Sequence, residues 1–116
     1  MEDKEFLCPG IINGVGIVKI TEKESNIPHF DIIRDDGSKV SIMIQDTKYF
    51  TNDGVLTKDE IIKFNNWIKA PSDALCGMGS NWKNIIFCWY GLYGIDFEWD
   101  WNLGIPDYSI IKPCDQ

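Results

Sequence analysis

A chain of 116 residues with 44% hydrophobic content has the length and apolar material of one domain around one core. Its 18 acidic against 11 basic residues give a formal net charge of −7, which opposes contact with a nucleic-acid backbone or an anionic membrane surface and reads as an acidic coat that maintains solubility or as a surface that meets a basic protein. No run reaches the roughly 18 apolar residues of a membrane span, and the acidic opening Met1-Glu2-Asp3-Lys4-Glu5 precedes no secretion-length apolar stretch, so a cytoplasmic protein is expected.

Residues 11–20 mix Gly14 and Gly16 with β-branched side chains and predict a strand or hairpin, the glycines allowing a bend or a close backbone approach. Their spacing does not make a phosphate-binding loop. After a polar connection ending in Pro28, two further strands are predicted, His29 to Arg34 and Lys39 to Gln45, joined by a turn at Asp35-Asp36-Gly37-Ser38. Period two puts Phe30 with Ile32, and Val40 with Ile42 and Ile44, on core-facing sides. Ile33 and Met43 then occupy the opposite faces, covered by a helix or by a partner.

The period changes after Thr57. Thr57-Lys58-Asp59-Glu60 reads as a capping box, Ile61, Phe64 and Ile68 recur at helical spacing, and Pro71 marks the stop. A second helix over 82–90 is capped by Ser80 or Asn81, carries Trp82, Ile85, Ile86 and Trp89 as its apolar stripe, and ends at Gly91 or Gly94. The fold class expected is α+β: a small, mainly antiparallel sheet packed against two helices in a single domain over 1–116.

Residues 95–116 are an additional strand or an interaction tail. Ile95, Phe97, Trp99 and Trp101 alternate with Asp96, Glu98 and Asp100, so an extended backbone separates an aromatic row from a carboxylate row. Either the aromatic row packs into the core, or Trp99 and Trp101 anchor a partner while Asp96, Glu98 and Asp100 steer it. Tyr108 to Ile111 would extend the sheet.

Chemistry is sparse. His29 is the single histidine, and at i,i+2 on a strand it shares a face with Asp31. That pair could orient an imidazole or help bind a metal, or serve as an ordinary surface hydrogen bond. The structural role is the expectation, since no nucleophile is fixed by the sequence. Asp96, Glu98, Asp100 and Asp107 are hard oxygen donors without the order of a calcium loop, and Asp35-Asp36 reads as turn chemistry rather than a metal pair. No metal or other cofactor is expected. Cys8, Cys76, Cys88 and Cys114 form no Cys-x-x-Cys pair. Cys8 and Cys114 would share a disulfide or a metal if the termini met, but reduced thiols are expected, with Cys88 in the core.

The run Pro28-His29-Phe30-Asp31, followed by an Ile-rich strand and the two helices, resembles a family of small bacterial proteins with a Pro-His-x-His strand, over about residues 27–90. That resemblance implies an association with toxin–antitoxin loci. His29 matches the family's first histidine, and Asp31 stands where the second would be. The acidic balance, the absence of a complete catalytic constellation and the aromatic and acidic tail make the expected function a non-enzymatic protein-binding module, regulatory or inhibitory, with an antitoxin-like role as one form of it. The alternatives are a small metal-assisted hydrolase or nuclease using His29, and a structural protein whose tail completes a homodimer sheet.

Overall fold

The computed structural model describes residues 7–20, 28–44, 46–73, 76, 78–93 and 104–114. Its elements are β1 (Leu7–Ile12), β2 (Gly16–Ile20), β3 (His29–Ile33), β4 (Lys39–Met43), α1 (Lys58–Lys69) and α2 (Asn81–Tyr93). The strands form an antiparallel meander in the order β1-β2-β3-β4, and the two helices pack against the sheet. The α+β architecture expected from the sequence is the one observed.

Two of the hairpin turns carry a glycine at positive φ. In the β1–β2 turn, Gly14 takes φ +80° and the Val15 amide donates to the Ile12 carbonyl at 3.0 Å. In the β3–β4 turn, Gly37 takes φ +87°, with Gly37 N–H to Arg34 O and Arg34 N–H to Ser38 O both at 2.9 Å. Left-handed backbone of this kind costs glycine little and other residues more. The resulting register pairs Ile32 with Val40, Asp31 with Ser41 and His29 with Met43. On the other side of β3, Val18 pairs with Ile32 and Lys19 with Asp31.

Directly paired residues share a face, so two rows emerge. Gly10, Val18, Ile32 and Val40 lie on the helix side, where the Gly10 backbone sits under the Trp67 ring of α1. Ile11, Ile17, Ile33 and Lys39 lie on the opposite face. The helix side is the core: Val18, Phe30, Ile32, Val40 and Ile42 are buried with Phe64 and Ile68 of α1 and with Trp82, Ile85, Ile86 and Trp89 of α2. The Phe30 and Phe64 rings meet at 5.8 Å, and Phe64 meets Tyr108 edge-on at 5.2 Å. Burial of side chains of this size stabilises by roughly 1.5–3 kcal/mol each.

The helix ends follow the sequence signals closely. Thr57 and Glu60 form the reciprocal capping box, and Ala70 with Pro71 ends α1. Ser80 caps α2 by accepting from the Lys83 amide at 3.1 Å. Asn81 then ties the helices together, its side-chain amide donating to the Trp67 carbonyl at 2.8 Å. Gly91 does not terminate α2, which runs on to Tyr93. Gly91 is exposed there with open space around its α-carbon, so the helix continues at only a propensity cost.

Beyond β4 the chain adds short ladders. Tyr49 bridges Ile42 in antiparallel sense, and Lys112 bridges Lys48 in parallel sense. The expectation that Tyr108 to Ile111 extend the sheet is not met: they form a turn, and only Lys112 makes a bridge. Tyr108 does something else. It is fully buried, and its hydroxyl and the Trp82 indole N–H both reach the Ile44 carbonyl, at 2.5 and 3.1 Å. One carbonyl, on the residue that follows β4, thus joins the sheet end, α2 and the C-terminal segment, and burial pushes the Tyr108 phenol well above its usual range.

Candidate functional site

Two regions of the sheet carry chemistry: the buried polar residues of β3 and β4, and the surface at the two hairpin turns.

The first begins with the strand period. His29 and Asp31 project from the same face of β3, as i,i+2 spacing requires, and the register brings Ser41 of β4 beside Asp31. The Ser41 hydroxyl donates to a carboxyl oxygen of Asp31 at 2.6 Å. The His29 ring lies flat on the Phe50 ring, with centroids 3.7 Å apart and parallel planes, and the His29 carbonyl accepts from the Trp89 indole at 2.6 Å. All three polar side chains are buried: His29 is 6% exposed, Asp31 3% and Ser41 4%. The expected surface placement of the His29–Asp31 pair is therefore corrected. The chain after β4 brings the Phe50 ring over His29, and Ser41 engages Asp31, so that part of the face is inside the protein.

A Ser, an Asp and a His on one sheet face invite comparison with a nucleophile–base–orienter set. The hydrogen bonding runs differently. The single hydroxyl proton of Ser41 goes directly to Asp31, so the imidazole does not receive it, and the oxygen is shielded from an incoming substrate. What the arrangement does is satisfy a buried carboxyl group at the centre of the sheet. Among the described residues, no three His, Cys, Asp or Glu side chains converge to hold a metal ion. Cys76, Cys88 and Cys114 form no disulfide among the described residues, Cys88 being half-buried against the core and Cys114 donating to the Phe50 carbonyl at 3.1 Å.

The second region is exposed. Ile11 and Ile17, paired across β1 and β2, are 61% and 37% exposed, beside half-buried Ile33. An open cleft of about 430 Å³ lies between the β1–β2 and β3–β4 turns, with Ile11, Asn13, Ile17, Arg34, Asp35 and Asp36 in its walls. Arg34, the single arginine, is committed elsewhere. Its Nε and Nη2 grip both carboxylate oxygens of Glu60 at 2.9 and 2.7 Å, and Nη2 also donates to the Val55 carbonyl at 2.8 Å. This fork holds the turn against the start of α1; it raises the Arg34 pKa and holds the Glu60 carboxyl below its usual value. Asp36 accepts from the Ser38 amide at 2.9 Å, which keeps its carboxyl below the usual range as well. Asp35 and Asp36 thus serve the turn, as expected.

Asp96, Phe97, Glu98, Trp99, Asp100 and Trp101, expected to carry partner binding, lie outside the described residues. Asp107 is an exposed turn residue whose carboxyl accepts from the Ser109 amide at 3.0 Å. Sequence reasoning missed Ser41, Phe50 and the exposed Ile11–Ile17 pair. A signal for Ser41 existed: counting outward from the Gly37 turn pairs position 31 with position 41. Nothing comparable marked Phe50, whose meeting with His29 depends on how the chain turns back after β4.

No family model, curated protein or solved structure matches the chain, so the Pro-His-x-His likeness lends no residue role to His29 or Asp31.

Proposed function

We propose that this chain is a non-enzymatic protein-binding module that regulates or inhibits a partner with a basic surface, in an antitoxin-like role in the cytoplasm. One observation carries the reading. The residues that could do chemistry, His29, Asp31 and Ser41, are buried, with Ser41 engaged to Asp31, while Ile11 and Ile17 leave large apolar side chains in solvent on the same sheet. Buried, mutually engaged polar groups support a fold, whereas solvent-facing apolar groups beside carboxylates suit a partner. The net charge of −7 would accelerate encounter with a basic protein and contribute less to the lifetime of the complex.

The test is a partner screen with an enzymatic control. Proteins captured on the immobilised full chain are purified and titrated by calorimetry against wild type and the Ile11→Ser/Ile17→Ser variant, both confirmed folded. The reading expects a stoichiometric partner whose association slows as salt rises. A hydrolytic activity of wild type that vanishes in Ser41→Ala, with no stoichiometric partner, would replace it.

A further inference from the structure

The cleft between the two hairpin turns has a wall chemistry that selects an occupant. Its apolar lining includes Ile11 and Ile17, and its polar lining is Asn13, Arg34, Asp35 and Asp36. Two cations close to its walls are held in other bonds. Arg34 is gripped by Glu60, and Lys63, which approaches Gly14, pairs with Asp59 at 2.9 Å. Two exposed acidic residues therefore line the cleft, and the one cation among its described lining residues, Arg34, is held by Glu60.

Building on the protein-binding reading, we infer that this cleft receives a basic side chain, arginine or lysine, presented by an extended segment of a partner protein. A long basic side chain divides into an aliphatic stem and a charged head, and the cleft divides the same way. The stem lies along Ile11 and Ile17, and the head meets Asp35 and Asp36. The site is held ready before binding. Arg34 N–H to Ser38 O and Gly37 N–H to Arg34 O close the turn, Asp36 is fixed by the Ser38 amide, and the Arg34–Glu60 fork anchors it to α1. Little order remains to be imposed when a ligand arrives, which favours affinity from a small surface. The same carboxylates repel a phosphate, so a nucleic acid is the wrong occupant.

The probe is the peptide acetyl-Gly-Ile-Arg-Ile-Gly-amide, titrated into the full ¹⁵N-labelled chain, with a second peptide carrying citrulline, the neutral isostere, in place of arginine. Amide shifts centred on residues 13–17 and 34–38 are expected. Affinity should fall roughly 2- to 5-fold with citrulline, and similarly for the arginine peptide in Asp35→Asn/Asp36→Asn, because a solvent-accessible ion pair of this kind is worth up to about 5-fold. Asparagine keeps the acceptor that Ser38 needs, so the turn survives the exchange. Ile17→Ser should weaken both peptides. Absence of binding at millimolar peptide, shifts centred on another face, or equal affinity for arginine and citrulline would overturn the inference. A captured partner that binds wild type and Asp35→Asn/Asp36→Asn equally would sink the cleft yet leave the protein-binding reading standing. Catalysis without any partner would sink that reading instead.

Discussion

Replacing Ser41 by alanine separates a structural hydroxyl from a catalytic one. Ser41 gives its proton to Asp31 at 2.6 Å, and both side chains are buried. The alanine leaves a buried carboxyl oxygen without that donor, at a cost of roughly 1–3 kcal/mol. Unfolding entropy of about 2.1 cal/mol/K per residue over 116 residues converts each kcal/mol to about 4 °C in Tm, so a fall of about 4–12 °C is expected. Urea denaturation followed by tryptophan fluorescence measures the same loss directly, since Trp82 and Trp89 are both in the core. A double-mutant cycle with Asp31→Ala should return a coupling energy of roughly 1–3 kcal/mol, as residues that share a buried hydrogen bond do not act independently. Wild-type stability in Ser41→Ala would refute the reasoning, because the Ser41 donor would then contribute nothing to the buried Asp31 carboxyl. Loss of a measurable reaction at unchanged stability would assign Ser41 to catalysis.

The Arg34–Glu60 fork gives a pH signature. Hydrogen bonds from Arg34, and next from the Thr57 backbone N–H, depress the Glu60 carboxyl below its ordinary value of 4.5, so this stabilisation is present above that pH and is lost as pH falls through the folded-state value. Urea midpoints measured from neutral pH downward should fall more steeply in acid for wild type than for Glu60→Gln. Arg34→Lys should destabilise by roughly 1 kcal/mol or more even at neutral pH, because an ammonium cannot span both Glu60 oxygens and the Val55 carbonyl together. Gly16→Ala should prevent or severely impair folding, since the added methyl would run into the Ile33 backbone carbonyl. Gly10→Ala meets the Trp67 side chain at 2.7 Å and should cost about 1–3 kcal/mol by chemical denaturation. Tyr108→Phe should cost roughly 1 kcal/mol by the same assay, because the Ile44 carbonyl keeps its bond from Trp82.

Local chemistry determined most of the scaffold from the sequence alone. Gly37 in a polar turn, the Thr57–Glu60 capping box and the stripes of Phe64, Ile68, Trp82 and Trp89 act over a few residues, so their geometry follows from spacing. The shared face of His29 and Asp31 was legible for the same reason, being a consequence of strand period. Tertiary structure alone decided whether that face is wet or dry. Burial of His29 and Asp31 depends on residues distant in sequence, among them Ser41 and Phe50, and no local pattern encodes such meetings. Tyr108 shows the same limit: its neighbours predict a strand, yet its ring enters the core because Phe64, Asn65 and the Ile44 carbonyl together offer an apolar slot and polar partners. The exposed Ile11–Ile17 pair is likewise a product of topology, since the helices cover the opposite face of the sheet and leave these side chains in solvent.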